Sequence, residues 1–103
     1  MLMPVRVDVE AQVVSSSNAN SSEGVRRLRA EDFQGALAAF QAALAENPND
    51  HRSAYGAGVA NEALRQMDSA LSYYNQACAG QNNAMYAEAR DRVKAFNGRV
   101  RQS

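Results

Sequence analysis

Lysine is almost missing from this 103-residue chain. Lys94 is the only one, and arginine carries the rest of the positive charge, a usage associated with GC-rich bacterial genomes. Eleven basic and eleven acidic residues leave a formal net charge of +0. That argues against a nucleic-acid binder working through a basic face, because such binding is largely phosphate neutralisation. Tryptophan is absent, and Cys78 is the single cysteine, so no intrachain disulfide can form. No apolar run approaches the roughly 20 residues that cross a bilayer. The opening "MLMPVRVDVEAQVV" carries charges where a secretory signal needs an apolar stretch, so no such signal is expected there. The compartment is otherwise unread: cytoplasmic by default, periplasmic or envelope-associated if the chain is a fragment.

Catalytic patterns are scarce as well. His51 is the only histidine and lies beside Asp50 at an expected helix start, without a nucleophile or orienting group in pattern. It is read as a surface residue at a turn. Cys78 is read as small apolar filler, since a reactive thiol needs a lowered pKa. No cysteine–histidine cluster or ligand-spaced carboxylates appear, so neither a metal nor another cofactor is expected. "GAGVAN", residues 56–61, lacks the preceding strand and third glycine of a nucleotide loop. The chain is read as no enzyme.

What is present divides in two. In "VRVDVEAQVV", Val5, Val7, Val9, Ala11 and Val13 alternate with Arg6, Asp8, Glu10 and Gln12. Period two with β-branched residues predicts a strand-like or extended segment over 1–16. "SSSNANSS" follows as a polar linker or capping region, with Ser21 or Ser22 as the candidate cap. From there the period is helical, and alanine dominates the apolar share, which favours helices in close contact. Five helices are predicted: about 22–30, 33–46, 51–65, 67–79 and 84–98. Glu31-Asp32 breaks the first pair, and Pro48 ends the second helix. Asp50 caps the third, and Gly80 offers the fourth a left-handed stop.

The helical part repeats. At one fixed offset, Gly24 falls on Gly58, Phe33 on Met67, Ala36 on Ala70, Leu37 on Leu71, Phe40 on Tyr74, Ala43 on Ala77 and Asn49 on Asn83. Small residues at Ala36 and Ala43 let a neighbouring helix approach, while Phe40 or Tyr74 fills the space between. The pattern resembles the tetratricopeptide repeat. That resemblance implies an all-α, short right-handed stack of helical hairpins: repeat one over about 17–50, repeat two over 51–84, and a capping helix over 85–103. Tyr86, Ala89, Val93 and Phe96 share one face of that last helix. Tyr74 takes the core place of Phe40, Tyr73 is placed on the outer surface, and Glu88 and Arg92 are expected to pair along the helix.

The resemblance also implies a function: non-catalytic protein–protein interaction, with a peptide or extended segment held in a concave groove lined by the first helix of each pair. Carried onto this chain, that face comprises Val25, Leu28, Arg29, Arg52, Tyr55, Val59, Glu62, Tyr86 and Arg90. Tyr55 is the expected aromatic anchor, with Arg29 and Arg52 reaching carboxylates. Members that clamp a chaperone tail carry lysine, asparagine and arginine on successive first helices. The matching positions here are Ser21, Val25, Gly56, Tyr86 and Arg90, and only Arg90 fits, so that clamp is not expected. Two alternatives stand beside the scaffold reading: self-association through the period-two segment or open repeat ends, and an accessory domain of a larger bacterial or envelope protein.

Overall fold

The computed structural model describes residues 19–79 and 82–102. The period-two segment and Gly80 lie outside these residues. Within them the chain forms five helices and no strand: α1 (19–29), α2 (Phe33–Glu46), α3 (His51–Ala63), α4 (Met67–Cys78) and α5 (Ala84–Gln102). Each helix from α2 onward packs on the next in sequence, as short connections between helical hairpins require.

Side-chain caps start three of these helices. Asp32 accepts from the Gly35 amide at 3.1 Å, and Asp50 takes the Ser53 amide at 3.2 Å and its hydroxyl at 2.7 Å. Asn83 accepts from the Met85 and Tyr86 amides. Each side chain satisfies donors that a helix start leaves without partners. The carboxyl of Asp32 is held below its ordinary range, first by the Gly35 amide and then by the guanidinium of Arg27. Ser21 and Ser22 are not caps. The chain is already helical at 19, so both stand inside α1, with Ser21 2% exposed.

The two hairpins turn in the same way. At the end of α1, Glu31 takes a left-handed φ of 61°, and Arg65, in the matching place at the end of α3, takes 66°. In the first turn the Asp32 amide donates to Arg27 and the Glu31 amide to Leu28, both at 2.9 Å. In the second, the Gln66 amide reaches Asn61 at 2.9 Å and the Arg65 amide reaches Glu62 at 3.0 Å. This paired closure satisfies the last carbonyls of a helix and usually places glycine at the left-handed residue.

The core is built from alanines around two rings. Phe40 is 1% exposed and lies between Gly24 of α1 and Gly56 of α3; a Cβ on Gly24 would stand 2.6 Å from the ring. Tyr74 is fully buried, and a Cβ on Gly58 would stand 2.5 Å from it. These glycines are needed because any side chain would displace the ring that joins the helices. Ala36, Ala57 and Ala60 surround Phe40, while Ala70, Ala89 and Val93 surround Tyr74.

Three local expectations are corrected. Tyr73 is not on the outer surface: it is half-buried against the Phe40 cluster, and its hydroxyl accepts from Gln41 at 3.2 Å. Arg92 does not pair with Glu88. It reaches across to Glu62 of α3, at 2.7 and 3.0 Å. His51 is half-buried, with Nδ1 3.3 Å from the Gln76 carbonyl, so it ties α3 to α4. The last helix also passes Gly98 and continues to Gln102, because a solvent-facing glycine weakens a helix without ending it.

Candidate functional site

The first helix of each pair contributes to one continuous face. A cavity of about 240 Å³ is lined by Val25 and Leu28 of α1, Arg52, Tyr55 and Gly56 of α3, and Met85 and Tyr86 of α5. Phe40 lies buried beneath its floor, brought close to the cavity because glycine at 56 adds no side chain over the ring. Beside it, a cavity of about 330 Å³ is lined by Ser21, Ser22, Val25, Arg26, Arg29 and Arg52. Val25 and Arg52 border both, so the two form one groove with an apolar end and a basic end.

The aromatic wall is built from rings in mutual contact. Tyr55 stacks on Tyr86 with ring centroids 4.8 Å apart and meets Tyr74 at 5.7 Å in a tilted arrangement. The hydroxyl of Tyr86 is pushed above its ordinary pKa by burial, with nearby Arg52 working against that shift. Tyr55 is half-buried, and Met85, 53% exposed, stands at the rim.

The basic end differs from ordinary surface charge. Arg26 pairs with Glu23, and the neighbouring Arg27 bonds both Glu23 and Asp32 at 2.7 Å. Arg29 and Arg52 are exposed, and neither has an ion-pair partner among the described residues. Two guanidinium groups beside an apolar cavity can take a carboxylate whose chain also presents an apolar side chain.

Six of the nine residues expected from the repeat border this groove: Val25, Leu28, Arg29, Arg52, Tyr55 and Tyr86. The other three stand elsewhere. Val59 packs toward the Tyr74 cluster. Arg90 bonds Asp91 at 3.1 Å. Glu62 accepts from the Tyr74 hydroxyl at 2.7 Å and from Arg92. Arg92 holds the Glu62 carboxyl below its usual range, with the Tyr74 hydroxyl adding to the effect against the opposing cost of burial. Tyr74 itself is raised, chiefly by burial and then by its bond to Glu62.

Sequence reasoning missed Ser21, Ser22, Arg26, Gly56 and Met85 as lining residues, and gave Ser21 only as a candidate cap and a failed clamp position. The signal for the two serines was the repeat itself, because Ser21 and Ser22 hold in repeat one the places of Tyr55 and Gly56 in repeat two. Met85 follows from the Asn83 cap, which sets the start of α5 and turns its first residues toward α3.

A family model described as tetratricopeptide repeat matches residues 22–85, well over half of the chain. The chain belongs to the tetratricopeptide repeat family. No curated protein and no solved structure matches it. Repeats of this family generally mediate protein–protein interaction and are typically non-catalytic scaffolds. Among the described residues no helix is long and apolar enough to cross a membrane, and no group of three or more His, Cys, Asp or Glu could hold a metal ion.

Proposed function

We propose that this chain is a tetratricopeptide-repeat adaptor that holds an extended protein segment in the groove across α1, α3 and α5. In this reading residues 17–103 work as one unit of two hairpins and a closing helix. The observation that carries it is the apolar cavity adjoining two arginines that have no ion-pair partner among the described residues. A bound segment would place a large apolar side chain against Val25, Leu28, Tyr55 and Met85. A carboxylate within a few residues would meet Arg29 and Arg52. The stacked tyrosines support the reading because a preordered wall loses little freedom when a ligand arrives.

The test is selection from a displayed library of peptides, with the complete chain as bait. Selected peptides should combine an acidic residue with a large apolar one. The double variant Arg52→Glu, Met85→Glu changes exposed side chains, so its circular dichroism should match wild type while affinity falls at least tenfold. Selection of no peptide, or equal binding by wild type and variant, overturns the groove.

A further inference from the structure

We propose that the groove is occupied in the resting chain by the chain's own segment 7–13, docked in cis, so that a partner must displace it. This inference rests on the groove reading above. It goes further in naming the occupant and in making the site self-covered.

Three observations converge on that segment. The first is chemical. Residues 7–13 read Val-Asp-Val-Glu-Ala-Gln-Val, with apolar side chains at every second place, two carboxylates and no cation. The groove offers the complement, an apolar cavity continuous with Arg29 and Arg52. In an extended chain alternate side chains leave on opposite sides, about 6.7 Å apart on each side. A groove with a floor and a rim touches both sides, so the valines suit the floor and Asp8 and Glu10 suit the long guanidinium side chains.

The second is connectivity. The wall of the groove is α1, described from residue 19, and Ser21 and Ser22 of its first turns line the basic end. Only residues 14–18 separate the segment from that wall. Five residues span up to about 17 Å, enough to reverse direction alongside a helix of similar length. A tether this short gives an effective concentration in the range of millimolar, so even a weak contact is populated.

The third is the lack of a competing sheet among the described residues. A period-two, β-branched segment with one apolar face ordinarily pairs in a sheet. No strand is present among the described residues. The groove is where the described surface offers an apolar cavity and arginines without ion-pair partners together.

The experiment compares three complete chains: wild type, Val7→Glu with Val9→Glu, and Asp8→Lys with Glu10→Lys. The probe is a labelled synthetic peptide with the sequence of residues 4–14. It should bind both variants at least tenfold more tightly than wild type, whose groove is already filled. Without probe, the amide resonances of Val25, Tyr55 and Met85 should differ between wild type and both variants, and light scattering should give a monomer throughout. Equal probe affinity for all three chains, absence of probe binding to any, or unmoved resonances overturns the inference. A wild-type dimer that becomes monomeric in the variants also overturns it, by placing the segment in a second copy. If the valine variant loses its helical spectrum, the lysine variant alone decides. Acidic–apolar library peptides that bind wild type and variants equally leave the groove reading intact and remove only self-occupancy. Failure of those peptides on every chain removes the groove itself.

Discussion

The two hairpins solve one packing problem with different chemistry. In the first, Phe40 is wedged against glycine, and position 28, facing the groove, is leucine. In the second, the ring gains a hydroxyl as Tyr74, and the counterpart of Leu28 becomes Glu62, which accepts that hydroxyl and binds Arg92 of α5. The exchange is coupled, since a buried hydroxyl requires a partner and an inward carboxylate requires donors. Repeat one therefore keeps an apolar floor open to the groove. Repeat two places a hydrogen-bonded charge at the same point and fastens the closing helix with it. Arg92 falls at the repeat position held by Gly24 and Gly58, so α5 carries a large charged side chain where α1 and α3 carry the glycine beneath a ring.

The largest expected effect comes from removing a ring. Phe40→Ala should cost about 3–5 kcal/mol, enough to leave a chain of this size largely unfolded, as read by thermal melting followed by circular dichroism. Exchanging the two chemistries is a finer break. Phe40→Tyr brings in a hydroxyl where Leu28 offers no acceptor and should cost about 1–3 kcal/mol. Tyr74→Phe removes a bond to a charged group and should cost about 1.5–3 kcal/mol. A double-mutant cycle of Tyr74→Phe with Glu62→Gln should show coupling, and additive losses would separate the two residues.

Acid should loosen repeat two through the same carboxylate. Glu62 is depressed below its ordinary value of 4.5, so the folded chain binds this proton less readily than the unfolded chain. Its contribution is complete above that value and is lost as pH falls through the lower, folded pKa. Urea midpoints measured between pH 7 and pH 3 should fall for wild type, and the gap to Glu62→Gln should narrow over the acidic part of that range.

The smallest effects sit at the hairpin turns. The carboxylate cap of α2, Asp32, has Gln66 as its counterpart at α4, which makes no side-chain cap bond. Gln66→Asp should restore the cap and add about 1 kcal/mol. Glu31→Gly and Arg65→Gly should each stabilise by a few tenths of a kcal/mol. Relief of a left-handed residue, about 1–2 kcal/mol, is partly offset by the entropy that glycine loses on folding. A decrease in melting temperature at both positions would mean that these turns are not strained as their angles imply.

Particular residues show what was legible in the sequence. The echo between the repeats placed Phe40 and Tyr74 in the core, and Asp50 declared its cap, because spacing and local hydrogen bonding act within one helix or turn. Tyr73 was misplaced because adjacent residues on one helix can both be covered when two neighbouring helices flank it, and a single-helix pattern does not contain the second neighbour. Arg92 was assigned to Glu88 by the four-residue rule, yet Glu62, far away in sequence on α3, offers a more desolvated carboxylate that also engages Tyr74.

The sequence by itself determined the helices, the Asp50 cap and the period that stacks them, because these follow from local backbone chemistry and a repeated burial pattern. Only the tertiary structure decided which charges are engaged and which remain without partners beside an apolar cavity. That depends on distances between helices, and side chains far apart in sequence become neighbours only when the hairpins close on one another.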